Sequence, residues 1–173
     1  MPYSENSSLL ETLLLTPCLL TGETHCDESK ASVWVKPQPG ETILLRQKLY
    51  RNQEGESICD LLVFYAKENE RVFCFVELKD NLKDLGKATK QVINTYKHFK
   101  QHFRLKKYIP KACIVAAGGS SLQEHQKYQQ DLLKEFCKNN VTIIQKKNLK
   151  NQDEFGDFLR GIPKKTKGKR KGR

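Results

Sequence analysis

The chain has 173 residues, with 31 Lys and Arg against 20 Asp and Glu, for a net charge of +11. One domain of this length buries a core without disulfide or metal staples, and a basic excess of this size favours polyanions, nucleic acid above all. The longest apolar stretch, LLETLLLTPCLL at 9–20, carries Glu11 and Pro17 and lacks a basic flank, so it reads as an amphipathic helix and its exit rather than as a signal peptide or a membrane span. The six cysteines form no CxxC pair, and with no export signal they read as reduced thiols of a cytoplasmic protein. Cys18, His25 and Cys26 lack a fourth ligand at zinc-finger spacing.

The charge is uneven. The last ten residues, KKTKGKRKGR, hold seven positive charges and no acid; the remaining 24 basic and 20 acidic residues nearly balance. Residues 163–173 therefore read as a basic, disordered tail behind one domain at 1–162. A second acid-free stretch, 86–107, carries Lys87, Lys90, Lys97, Lys100, Arg104, Lys106 and Lys107.

In chain order, Ser7 or Ser8 caps a short helix over 7–15, with Leu9, Leu10, Leu13 and Leu14 on one face. Residues 16–31 read as irregular. Strands are expected at 32–36, where Trp34 sits between valines as a core residue, and at 42–50, separated by a PQPG turn. Two strong strands, ICDLLVFYA (58–66) and RVFCFVELK (71–79), flank a short polar connector and form a hairpin. A long helix follows over 82–104, with Leu85, Ala88, Val92, Tyr96, Phe99 and Phe103 at steps of three and four. A buried strand at 111–118 leads through Gly118-Gly119-Ser120-Ser121 into a helix at 121–138, then a strand at 141–147 and a last helix at 151–160. This order describes an α/β sandwich with a mixed central sheet flanked by helices.

The hairpin is where chemistry concentrates. If Lys67 faces Glu70, Asp60 lies opposite Glu77. The period of two then puts Ile58, Asp60, Leu62 and Phe64 on one face with Phe73, Phe75, Glu77 and Lys79, and Cys59, Leu61, Val63 and Tyr65 on the other. Both faces are apolar except for Asp60, Glu77 and Lys79, which share one face at the end away from the turn. Opposed carboxylates on adjacent strands repel; either they share a proton or a cation sits between them. An oxygen-seeking Mg²⁺ is satisfied by one or two carboxylates plus water, and Lys79 stands where an ammonium orients a water or neutralises a phosphate. The bland alternative is an ordinary Glu77–Lys79 ion pair with Asp60 at an exposed strand start.

Cys59-Asp60 on one strand and Glu77-Leu78-Lys79 on the next, followed by an amphipathic helix carrying Gln91, resemble the PD-(D/E)xK nuclease superfamily, the restriction-endonuclease-like fold. The resemblance covers about residues 7–118. Cys59 replaces the usual Pro, Glu11 is a loose match for the acid on the family's first helix, and Gln91 and Tyr96 only partly match a Gln-Tyr pair found in some relatives. The resemblance implies an endonuclease hydrolysing phosphodiester bonds of DNA with Mg²⁺, for which Mn²⁺ substitutes. Asp60, Glu77 and the Leu78 carbonyl would hold the metal, Lys79 would act on the attacking water, and Gln91 would support the metal-bound water. Lys87, Lys90 and Lys97 are the expected phosphate contacts. A homodimer is compatible with cutting both strands. The alternatives are a non-catalytic nucleic-acid-binding module or subunit on the same fold, and a nuclease acting on RNA.

Overall fold

The structure, a computed structural model, describes residues 19–21, 25–28, 31–47, 58–102, 104–118, 122–145 and 153–163. The helix expected at 7–15, Glu11, Cys18, Phe103 and the basic tail from 164 onward lie outside the described residues.

The strands are β1 (Leu19–Thr21), β2 (His25–Glu28), β3 (Ala31–Trp34), β4 (Glu41–Gln47), β5 (Leu61–Lys67), β6 (Glu70–Lys79), β7 (Ile109–Ala116) and β8 (Val141–Gln145). The helices are α1 (Leu85–His102), α2 (Leu122–Leu133) and α3 (Glu154–Leu159). Six strands form a mixed sheet in the order β1-β4-β5-β6-β7-β8, and β2 and β3 form a separate hairpin. Pairing is antiparallel from β1 to β6 and parallel from β6 through β7 to β8. The two parallel pairs require crossovers, which α1 and α2 provide.

The β5–β6 register is the expected one, from Lys67↔Glu70 at the turn to Leu61↔Val76 at the far end. Both faces of this central pair are covered. Leu62, Phe73 and Phe75 pack under Leu85, Ala88, Val92 and Phe99 of α1, together with Leu132 and Phe136. Leu61, Val63, Val72, Cys74 and Val76 pack against Ala31, Val33 and Val35 and against Phe155 and Leu159 of α3. Helices on one side and a hairpin with a short helix on the other make an α/β sandwich in three layers.

Several expectations change. Residues 16–31 include β1 and β2 rather than only irregular chain. Trp34 is 39% exposed instead of buried, because Ala31, Val33 and Val35 take the inward positions of that stretch and alternation turns Trp34 outward. α1 begins at Leu85 after a single 3₁₀ turn at Leu82–Asp84. α2 ends at Leu133, after which the chain turns so that Phe136 reaches the core and Cys137 is extended. Cys59, Cys74 and Cys113 are buried free thiols, as expected.

The last helix is tied down by ions. Arg160 donates from Nε and Nη2 to Glu41 Oε1 and Oε2 at 2.7 and 3.0 Å, and from Nη1 to Asp153 Oδ2 at 2.8 Å. Chiefly because of these Arg160 bonds, the Glu41 carboxyl is held down at about 2. The buried Lys111 ammonium donates to the Phe158 and Leu159 carbonyls at 2.7 and 3.0 Å, closing the C-terminal end of α3. Glu41 and Arg160 are nearly inaccessible, so Arg160→Ala leaves a buried carboxylate without its partner. The expected cost is about 3 kcal/mol in urea unfolding at pH 7. Since the folded Glu41 value lies below the unfolded one, this stabilisation is complete above about pH 4.5 and is lost as pH falls toward 2. Wild type should therefore lose stability more steeply across that window than Glu41→Gln.

Candidate active site

The site is at the end of the sheet where β6 finishes and β5 begins. β6 is buried along Val72–Leu78 and emerges only at Lys79. Glu77 stands on the α1 side of the sheet, in the alternation set by Phe73 and Phe75, and is fully buried. The β5–β6 ladder stops at Leu61↔Val76. Residues 58–60 are therefore not strand, and their backbone groups bond elsewhere.

Asp60 N–H donates to Glu77 Oε2 at 2.9 Å, and Asp60 Oδ2 accepts from Leu78 N–H at 3.0 Å. The two carboxylates thus meet through a reciprocal pair of backbone contacts, with Asp60 reaching to the edge of β6 rather than standing squarely across a ladder. The change of backbone at Asp60 also moves Cys59. The expected alternation put it on the face of Leu61, whereas it packs with Leu62, Phe75 and α1. Its thiol is pushed up to about 12, mainly by burial, and so offers no nucleophile at neutral pH.

Lys79 Nζ stands 2.5 Å from Glu77 Oε1. The distance is that of a short ion pair, and the Lys79 ammonium is the group that faces this oxygen. Burial first, then the charge of Asp60, raises the Glu77 carboxyl to about 7 against the lowering effect of Lys79. Glu77 is thus a buried acid balanced between its protonated and ionised forms.

These donors fit a hard divalent cation better than zinc. They are carboxylate oxygens, and the second carboxylate's charge opposes ionisation of the first. The Leu78 carbonyl lies on the same side. Lys79 O accepts from Ala117 N–H at 3.0 Å toward β7, and Leu78 N–H is directed toward Asp60. N–H and C=O of one extended residue leave the same edge, so the Leu78 carbonyl is aimed to the β5 side. Among the described residues, no group of three or more His, Cys, Asp and Glu side chains is arranged to hold a metal. The candidate set is two carboxylates, one backbone carbonyl and solvent.

α1 supplies the rest of the surroundings. Gln91 donates from Nε2 to the Ile58 carbonyl at 3.3 Å, while its buried Oε1 has no hydrogen-bond partner. It therefore holds the segment leading to Asp60. Lys87 and Lys90 are exposed on the first turns of α1, at the end of the helix that follows the site. Lys97 differs: it lies two turns further on and pairs at 3.0 Å with Glu135 in the turn that follows α2. His98 and His102 are exposed. Thr95, on the same helix, is buried.

Comparison with known protein families, with curated proteins and with solved structures finds no match.

The buried acid makes a prediction independent of catalysis. With chelator present at pH 8, an ionised Glu77 costs folding energy, because its folded value is above its unfolded one and stability falls as pH rises from about 4.5 to 7. Glu77→Gln should raise stability at pH 8 by roughly 1–3 kcal/mol and have little effect at pH 4. Equal unfolding midpoints for the two proteins at pH 8 would contradict the burial argument.

Proposed function

We propose that this chain is a Mg²⁺-dependent nuclease that hydrolyses phosphodiester bonds of DNA, on a fold of the restriction-endonuclease-like kind. The observation that carries the proposal is the meeting of Asp60 and the buried Glu77 through paired backbone contacts, with Lys79 held against Glu77. A structural ion pair needs one carboxylate and one ammonium. A second carboxylate whose charge opposes ionisation of the first has a reason to be there if a dication binds both.

Asp60, Glu77 and the Leu78 carbonyl would hold the metal. When bound, it would lower the pKa of a water and polarise the phosphate. Competition for Glu77 would release the Lys79 ammonium, which is already partly exposed and is the group placed to orient an attacking water or to neutralise charge on the phosphate. Gln91 anchors the approach to Asp60, leaving its unfilled Oε1 as an acceptor for a water. Lys87 and Lys90 would bind backbone phosphates on either side of the scissile bond, without reading sequence. The mixed sheet, its two crossovers and a site at the carboxyl end of a parallel strand support the fold reading.

Two experiments test this. Asp60→Ala, Glu77→Ala and Lys79→Ala, each confirmed as folded, should lower Mg²⁺-dependent cleavage of DNA by roughly 100-fold or more. Chelator should abolish wild-type cleavage. Binding of DNA without metal-dependent cutting would identify a non-catalytic binding module instead. Replacing both Lys87 and Lys90 by Ala should lower the dependence of log K on log salt by about two, whereas Lys97→Ala should leave it unchanged.

A further inference from the structure

The segment 58–60 must find hydrogen-bond partners outside the β5–β6 ladder, and α1 supplies those of Ile58 and Cys59. Cys59 N–H donates to Thr95 Oγ1 at 2.8 Å in a buried contact 36 residues apart in sequence. Thr95 Oγ1 in turn donates to the Gln91 carbonyl at 2.7 Å. The second contact is an ordinary back-bond of a helical threonine to the preceding turn. It also fixes the hydroxyl. Once the single hydroxyl proton is directed to Gln91, the oxygen presents its lone pairs to Cys59 N–H. Gln91 grips the same segment one residue earlier, at the Ile58 carbonyl. The next backbone group along is Asp60 N–H, on Glu77.

We infer that Thr95 is a positioning residue for the proposed metal site, setting the place of Asp60 through the Cys59 main chain. The inference rests on the nuclease reading above and extends it to a residue that touches neither metal nor substrate. Thr95 is 3% exposed and sits on α1, while the carboxylate it positions lies on the chain just before β5. Its hydroxyl is the point at which the helix fixes the spacing between the two carboxylates. Valine has the same shape but cannot accept from Cys59 N–H, leaving a buried amide unpaired. Serine keeps the oxygen and loses only a methyl group.

The test uses the full chain as wild type, Thr95→Val, Thr95→Ala and Thr95→Ser. Mn²⁺ binding is measured by calorimetry, and kcat and KM are measured for DNA cleavage. Groups that orient metal ligands typically alter metal affinity by 10–100-fold. Thr95→Val and Thr95→Ala should weaken Mn²⁺ binding by about tenfold or more and lower kcat at saturating DNA with KM for DNA unchanged. Thr95→Ser should stay within about threefold of wild type. If Thr95→Val does not fold, the Ala–Ser pair gives the same comparison. A Val or Ala variant that binds Mn²⁺ as tightly as wild type, though less stable, overturns the inference and leaves Thr95 a packing residue. So does a Ser variant as weak as the Ala one. A wild-type protein that binds no Mn²⁺ overturns the nuclease reading and this inference together, which distinguishes that failure from failure at Thr95 alone.

Discussion

A carboxylate with no solvent exposure, at the end of a strand and beside a second carboxylate, is the constraint that organises this molecule. Moving an ionised carboxylate out of water is expensive unless charge and hydrogen bonds replace the lost hydration. Glu77 receives one hydrogen bond from Asp60 N–H and one ammonium, and these leave its acid raised to about 7. A sequence selected for stability alone would place an apolar residue here, continuing Phe73 and Phe75 along the face under α1.

The surrounding fold holds that arrangement in place. β7 pairs alongside Glu77 and Leu78 and fixes their place along β6, while β5 pairs only as far as Val76. Ending β5 at Leu61 lets the preceding residues leave the ladder, so that Asp60 reaches the edge of β6 with both its amide and its carboxylate. α1 then holds the departing segment at Ile58 and Cys59 through Gln91 and Thr95. On the opposite face, the Arg160–Glu41 clamp and the Lys111 cap fix α3 against the sheet. These ties lie toward the β5–β6 turn end of the sheet, where Glu41 pairs with Lys67, so the candidate site at the other end depends on β7 and α1.

Much of this was legible in the sequence, for physical reasons. The β5–β6 register follows from a short connector between two apolar runs, since a shift by one residue would turn every side chain to the wrong face. The apolar stripe Leu85, Ala88, Val92, Tyr96 and Phe99 announced α1 by its period. Periodicity failed where the chain leaves regular structure. Cys59 changes face because β5 has not yet begun, which strict alternation does not register. Nothing local marks Thr95 as buried, because its partner is a backbone amide supplied by tertiary structure. The Arg160–Glu41 pair spans 119 residues and has no local signature. Lys97 resembles Lys87 and Lys90 in sequence, but only the tertiary fold brings Glu135, from the turn after α2, to it.

The central claim is that Asp60 and Glu77 are built to share a divalent cation, and a crystal soaked in Mn²⁺ tests it most directly. The account predicts one anomalous scattering peak within coordination distance of both carboxylates, with Lys79 displaced from Glu77. No peak between them, with the Lys79 ammonium still seated on Glu77 Oε1, would contradict it.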